Sequence, residues 1–125
     1  MLKKESNNII VYDPTKDFIK SINQYCGSKI DIKLCSDRTE LIVNDLSIYS
    51  IAFIVTNDYS DMIEIIKMYN QIDKIYLNTN NTEIKRTVSN LKNIVLFNQD
   101  KDKIKIMDFI FNKIIGFEDH NSNIN

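Results

Sequence analysis

The sequence predicts an α/β protein in which helices cover both faces of a five-stranded parallel sheet, giving a three-layer α/β/α sandwich. Short β-branched runs alternate five times with segments of helical periodicity, and the connections between them are a few residues long. Residues 51–57 (IAFIVTN) are apolar without alternation until they end in polar residues. Such a run is typical of a strand buried on both faces, as in a parallel sheet with helices on either side.

The composition is that of one globular domain. The chain has 125 residues, of which 43% are hydrophobic and 26% charged, so it is long enough to form a single core. Its formal net charge of -1 provides no basic field for nucleic acid. No apolar run approaches the roughly 18 residues of a membrane-spanning helix. We therefore expect neither nucleic acid nor a membrane as a partner.

The cysteines, the histidine and the first residues give no signal of a metal site or of secretion. Cys26 and Cys35 lack a metal-binding or redox spacing, and His120 is the one histidine of the chain. The polar segment 1–8 does not resemble a signal peptide. The sequence thus predicts reduced cysteines in a cytoplasmic protein.

The first strand and helix are defined by turn residues. Residues 9–12 (IIVY) form a short β-branched strand, closed by Asp13 and Pro14. The helix that follows begins near Thr15, a candidate N-cap, and ends at Gly27 in the manner of a C-terminal glycine. Its apolar face consists of Phe18, Ile19, Ile22 and Tyr25.

The second strand differs from the others. Residues 29–35 (KIDIKLC) alternate apolar and polar side chains, which predicts a half-exposed edge strand. Ser36 or Asp37 then caps a helix that runs through Ile42 and extends as far as Leu46. The central strand, already described, comes next.

The second half of the chain repeats the pattern. Each strand is a short apolar run that ends in polar, asparagine-rich residues, and each helix has one apolar stripe. The predicted elements are a helix capped by Ser60 or Asp61 and carrying Met62, Ile65, Ile66 and Tyr69, a strand at 74–77, a helix at 82–91, a strand at 94–97 and a helix at 102–115.

The exposed pattern of the second strand places it at an edge of the sheet. This favours the strand order 2-1-3-4-5, which is that of flavodoxin-like folds. We expect the domain to comprise residues 9–116, with a polar lead at 1–8 and a disordered polar tail at 117–125. In such sheets, ligands and chemistry collect at the carboxyl ends of the strands.

Residues 8–116 resemble the receiver domain of two-component response regulators. The run Ile10-Val11-Tyr12-Asp13-Pro14 corresponds to that family's first-strand ending, Val-Asp-Asp-Glu-Pro. Residues 35–42 (CSDRTELI) are similar to its second-strand exit, in which a small residue is followed by Glu-Ala-Leu. The correct order and spacing of these segments carry the resemblance.

A receiver transfers a phosphoryl group to an aspartate at the end of its third strand, with Mg²⁺ held between that aspartate and an acidic pair after the first strand. The cation and a lysine after the fifth strand stabilise the developing charge. The corresponding positions here are Thr56 or Asn57 for the acceptor, Val11 and Tyr12 with Asp13 beside them for the acidic pair, Asn98 for the lysine and Thr79 for the switch residue.

Three of these four parts therefore lack the required chemistry. Thr56 and Asn57 have no carboxylate, the acidic pair is reduced to Asp13, and Asn98 has no positive charge. The resemblance thus implies an atypical receiver, or pseudo-receiver, that retains the scaffold but has lost phosphotransfer. Such a protein is not an enzyme.

The acidic residues of the predicted loops have two interpretations. Asp13 and Asp58, with Asp61 nearby, are candidates for a hard-oxygen Mg²⁺ site. They are also typical turn and cap residues, which is the interpretation we favour, so we predict no metal. We predict no cofactor either, because a nucleotide or flavin needs a glycine-rich turn after the first strand, and Gly27 and Gly116 lie elsewhere.

Uncharged polar residues form a predicted rim at the same edge of the sheet. Because they follow the third, fourth and fifth strands, they are positioned to hydrogen-bond a small ligand or the loop of a partner. The residues are Thr56, Asn57, Thr79, Asn80 and Asn98.

The last helix carries more apolar residues than one face can hold. One stripe, formed by Ile104, Met107 and Phe111 with Ile114 or Ile115, is expected to pack on the sheet. The surplus residues Ile106, Phe109 and Ile110 are then predicted to be an exposed patch of the kind used for association.

The leading functional hypothesis is a non-catalytic signalling or interaction module with protein partners. The receiver resemblance places the contact on the last helix and the fifth strand and allows a homodimer. One alternative is a divergent Mg²⁺-dependent phosphoacceptor that uses Asp58 or Asp13. Another is a small-molecule binder at the rim of strand ends.

Overall fold

The computed structural model describes residues 8–26 and 32–112. The strands are β1 (Ile9–Tyr12), β2 (Ile32–Cys35), β3 (Ile51–Val55), β4 (Lys74–Asn78) and β5 (Ile94–Leu96). They form one five-stranded sheet, parallel throughout, in the order β2-β1-β3-β4-β5. The predicted α/β sandwich with flavodoxin-like strand order is therefore confirmed.

Helices follow the strands in alternation. They are α1 (Asp17–Cys26), α2 (Arg38–Ile42), α3 (Met62–Tyr69), α4 (Thr82–Val88) and α5, which is described over residues 103–112. Two 3₁₀ helices, Leu46–Ile48 and Tyr59–Asp61, precede β3 and α3. None of the helices in the described ranges has the length and apolar character needed to cross a membrane.

Each face of the sheet buries its own apolar cluster. Ala52 and Ile54 of β3 point into the cluster beneath α2, α3 and α4. Ile51, Phe53 and Val55 belong to the cluster beneath α1 and α5. Since successive side chains of a strand alternate between faces, all of β3 is buried, as predicted. The strand ends at Val55, two residues before the predicted end at Asn57.

Local caps shorten several elements relative to the prediction. Asp45 accepts a hydrogen bond of 3.1 Å from the Ser47 amide and begins a 3₁₀ helix, so α2 ends at Ile42 and does not reach Leu46. Helix α4 ends at Val88, three residues before the predicted boundary. The predicted helix stops at Gly27 and Gly116, the polar lead before residue 8 and the tail at 117–125 lie outside the described residues.

Helix α3 buries the predicted stripe except at Ile66, since Tyr69 is also partly buried against the same cluster. Met62, Ile65 and Met68 are buried, whereas Ile66 is 41% exposed. Ile66 and Met68 are both apolar, so the periodicity of the sequence allowed either of them to be buried. In the structure Met68 lies on the side of α3 that faces the sheet.

The prediction for the last helix was wrong about which residues are exposed. Ile106 and Ile110 are only 8% and 0% exposed, while Ile104, predicted to be buried, is 65% exposed. Phe109 is partly buried, with its ring centroid 5.6 Å from that of Tyr76. The apolar residues of this helix are compatible with several buried stripes, and packing against the sheet selected among them.

Candidate functional site

A concave pocket of about 430 Å³ lies at the carboxyl ends of β1 and β3. These strands are neighbours, but the chain leaves β1 toward β2 at one side of the sheet and leaves β3 toward β4 at the other. The two loops diverge and leave a crevice, which is where open α/β sheets bind ligands. The pocket is lined by Tyr12, Pro14 and Thr15 from the β1 side and by Thr56, Asn57 and Asp58 from the β3 side, with Val55 and Asp61.

Thr56, the residue at the predicted acceptor position, is buried in a hydrogen-bond network. It is 4% exposed, and its Oγ1 donates to Oδ2 of Asp61 at 2.6 Å. Oγ1 of Thr56 also accepts a hydrogen bond of 3.1 Å from the Asp58 amide. The hydroxyl group therefore links the end of β3 to the loop that starts α3.

Asp61 is the centre of this network. Its carboxylate is 2% exposed and also accepts hydrogen bonds from the Tyr12 hydroxyl, at 3.3 Å to each oxygen, and from the Arg38 Nε, at 2.9 Å. A buried carboxylate is tolerated when a cation and further donors compensate it, and Asp61 has both. Asp61 occupies the N-cap position of α3, one of the two predicted alternatives, but its side chain makes no cap hydrogen bond because the carboxylate is turned toward the sheet.

Arg38 connects the start of α2 to the loop between β3 and α3. Its Nη2 donates to the Ser60 Oγ at 2.6 Å and lies 3.7 Å from Oδ2 of Asp58. The hydrogen bond to Asp61 raises the pKa of the Arg38 guanidinium. The guanidinium therefore stays charged and holds both acidic residues of this loop.

Tyr12 is a hydrogen-bond donor at any physiological pH. Burial, together with the charge and hydrogen bonding of Asp61, raises its pKa to about 12. Ionisation would place a phenolate beside the Asp61 carboxylate, and the repulsion between the two negative charges disfavours it.

Asp13 caps a helix, and both of its carboxylate oxygens are already hydrogen-bonded within the protein. It is fully buried, and its Oδ2 accepts hydrogen bonds from the amides of Phe18 at 2.8 Å and Ile19 at 3.3 Å, in the first turn of α1. Its Oδ1 accepts from the amide and the hydroxyl of Thr15, at 3.1 and 2.7 Å. Lys16 closes this loop in a left-handed conformation, with a φ of 70°. Asp13 thus caps the first turn of α1, the role predicted for Thr15, whose hydroxyl accepts only one hydrogen bond there, of 3.3 Å from the Asp17 amide.

Asp58 caps the 3₁₀ helix Tyr59–Asp61. Its Oδ1 accepts hydrogen bonds from the amide of Ser60 at 2.9 Å and from its hydroxyl at 2.8 Å. The hydroxyl contact is the main cause of the lowered pKa of Asp58. Its side chain is 67% exposed, so the charge faces the pocket and solvent. Within residues 8–26 and 32–112, no group of three or more His, Cys, Asp or Glu side chains is arranged to hold a metal ion.

The predicted polar rim forms only in part. Asn57 joins the ends of β3 and β4, because its Oδ1 accepts from the Asn80 amide at 2.6 Å and from the Thr79 hydroxyl at 3.3 Å. Asn98 makes no hydrogen bond to these residues, and its Oδ1 accepts from the Lys101 amide at 2.9 Å. It does line, together with Thr79 and Asn80, a depression of about 330 Å³ at the ends of β4 and β5.

Sequence reasoning missed Arg38 and the roles of Tyr12 and Asp61. Tyr12 ends an apolar strand, so the sequence marks it as core, and nothing near Arg38 in the chain indicates that its partner is 23 residues away. A single acidic residue between a polar turn and an apolar helix was the available signal for Asp61. That signal is shared with ordinary N-caps.

Comparisons of this chain with protein-family models, with curated proteins and with solved structures found no match. The geometry and chemistry of the site are therefore the grounds on which a function is proposed.

Proposed function

We propose that this protein is a non-catalytic signalling or interaction module, a pseudo-receiver that acts through protein–protein contacts and not through phosphotransfer. The observation that carries the proposal is the environment of Thr56. By the receiver resemblance it occupies the acceptor position, and its hydroxyl donates to the buried carboxylate of Asp61 at 2.6 Å. A threonine there does not form an acyl phosphate, because that bond requires a carboxylate oxygen as the nucleophile.

The surroundings of Thr56 support the same function. A carboxylate at this position would face Asp61 at hydrogen-bond distance, and two like charges so close oppose each other's ionisation. The carboxylate of Asp13 already accepts four hydrogen bonds. Asn98 contributes an amide where receivers have lysine, so this position supplies no charge to a transferred phosphoryl group.

Amide-resolved NMR with Mg²⁺, and then with Mg²⁺ and beryllofluoride, tests the loss of phosphotransfer. We expect the amides of Asp13, Asp58 and Thr79 to be unchanged, and acetyl phosphate to transfer no label to the protein. Shifts at these amides, with labelling that Asp58→Asn abolishes, would instead establish the divergent phosphoacceptor. Asp45→Asn is the matched control, because Asp45 caps a 3₁₀ helix through a serine as Asp58 does.

The contact surface that we propose is the edge of β5 with the exposed side of α5. Strand β5 lies at one edge of the sheet, and its Val95 and Leu96 are 38% and 47% exposed. Over the described part of α5, the exposed apolar residues are Ile104 and Phe111 rather than Ile106 or Ile110. An open strand edge with exposed apolar side chains favours association with a partner or a second copy.

Solution mass measured by light scattering over a range of concentrations tests this surface. We expect the wild-type chain to self-associate and Leu96→Glu to be monomeric. Ile63→Glu is the control, because Ile63 is 64% exposed but lies on α3. Equal loss of association in both variants would place the contact elsewhere, and a wild-type monomer at every concentration would exclude the homodimer.

A further inference from the structure

The pocket between β1 and β3 has the properties of a formed ligand site. Its volume of about 430 Å³ lies within the roughly 300–1,000 Å³ of small-molecule sites. It occupies the crevice where the two loops diverge, which is the ligand position of open α/β sheets. Its lining combines apolar surface from Tyr12, Pro14 and Val55 with a few polar groups.

Both walls of the pocket are held in place without a ligand. On one side, the carboxylate of Asp13 binds the first turn of α1 and fixes the loop that contains Pro14 and Thr15. On the other, Asn57 is held by the Asn80 amide through its Oδ1. Binding would therefore cost little ordering of the protein, which favours affinity for a small ligand.

The charges around the pocket favour a ligand with a positive charge. Asp58 and Asp61 line it, and the guanidinium of Arg38 compensates Asp61 with Nε at 2.9 Å and Nη2 at 2.5 Å. Asp58 is 3.7 Å from the same guanidinium through Oδ2, so two carboxylates share one cation. The two carboxylates that line the pocket and the one guanidinium that pairs with them sum to one negative charge.

We propose that this pocket binds a small organic cation, with an ammonium group beside Asp58 and an apolar body against Tyr12, Pro14 and Val55. A negative pocket disfavours phosphates and carboxylates, and its apolar lining favours a hydrocarbon body over a hydrated ion. The site goes beyond the proposed contact function and does not depend on it. Loss of phosphotransfer and binding of an ammonium ligand are measured separately, so either can fail alone.

Three compounds with similar apolar bodies and different charges test the proposal: phenethylamine, phenethyl alcohol and hydrocinnamate. We expect phenethylamine to produce saturable NMR shifts at the amides of Thr15, Asn57 and Asp58. Its affinity should exceed that of the alcohol by about threefold to fivefold, the range of a partly exposed charge pair, and added salt should reduce the difference. Hydrocinnamate should bind most weakly.

Substitutions test whether the Asp58 carboxylate is the charge that favours the amine over the alcohol. Asp58→Asn keeps a capping oxygen, so the fold should be retained, and phenethylamine should bind about threefold to fivefold more weakly while the alcohol is unaffected. Asp45→Asn should leave both affinities unchanged. Equal binding of the three compounds, no saturable shifts, or an Asp58→Asn variant that binds the amine normally would overturn the proposal. Displacement of phenethylamine by Mg²⁺ at the same amides would identify a divalent-cation site instead.

Discussion

The Thr56 hydroxyl donates a hydrogen bond of 2.6 Å to the Asp61 carboxylate, and both side chains are buried at the carboxyl end of β3. This pair joins the central strand to the loop before α3. It also makes Thr56, the acceptor position in the proposed receiver resemblance, part of the buried core.

Thr56→Val should lower the free energy of unfolding by about 1–3 kcal/mol, because the buried Asp61 loses a donor while the shape of the side chain is kept. Thr87→Val is the control, since the exposed Thr87 hydroxyl donates to the Glu83 carbonyl within its own helix and otherwise makes a long, exposed contact of 3.4 Å with the Tyr59 hydroxyl. That change should stay within about 0.5 kcal/mol. Urea denaturation of both variants measures the difference, and equal effects would show that the Thr56 contact contributes little.

Arg38→Met should destabilise the fold by about 1–3 kcal/mol, because it leaves the Asp61 charge buried without a cation. The effect falls below that of a fully buried pair since the Arg38 side chain is 40% exposed. Arg86→Met is the matched control, because the Arg86–Glu83 pair has side chains 72% and 60% exposed. Its removal should cost less than about 0.5 kcal/mol in the same denaturation experiment. Similar losses in both would contradict a structural role for Arg38.

Tyr12 should make the protein sensitive to alkali. Its pKa is raised from 10.0 to about 12 in the folded state, so its stabilising contribution is complete below pH 10 and is lost as the pH rises toward 12. Tyr12→Phe should be less stable at neutral pH, because it lacks the hydrogen bond to Asp61, but its stability should fall less steeply over that range. Parallel stability curves for the two proteins would show that Tyr12 does not titrate as expected.

The two cysteines should differ in reactivity toward a thiol reagent at neutral pH. Burial raises the pKa of Cys35 to about 11 and also raises that of the partly exposed Cys26. We expect Cys26 to react slowly and Cys35 to react only when the protein unfolds. In denaturant both should react at similar rates, and rapid labelling of Cys35 in the Cys26→Ser variant would contradict its burial.

Ile110→Ala should destabilise the protein by about 2–5 kcal/mol, because Ile110 is 0% exposed in the cluster beneath α1 and α5. Ile104→Ala on the same helix should change stability by less than about 0.5 kcal/mol, since Ile104 is 65% exposed. The pair tests the rotation of α5 about its axis. A larger loss of stability for Ile104→Ala than for Ile110→Ala would instead support the buried stripe predicted from the sequence.

The sequence by itself determined the order and type of the elements. The unbroken apolar run at 51–55 and the alternating run at 29–35 are set by local chemistry, because a strand buried on both faces needs apolar side chains throughout and an edge strand does not. Together they were sufficient for the sheet order 2-1-3-4-5. The candidate site could be placed at the carboxyl edge of the sheet, because a parallel sheet brings the polar residues that follow its strands to that edge.

Only the tertiary structure decided which side chains meet there and which face of α5 is buried. The ion pair of Arg38 and Asp61 joins residues 23 positions apart, and no local pattern indicates a contact made by packing two elements on the same face of the sheet. Likewise, the apolar residues of α5 allowed several stripes, and Ile106 and Ile110 were selected by contact with the sheet. Local periodicity specifies that a helix has a buried face, whereas the choice among equivalent faces depends on the neighbours that pack against it.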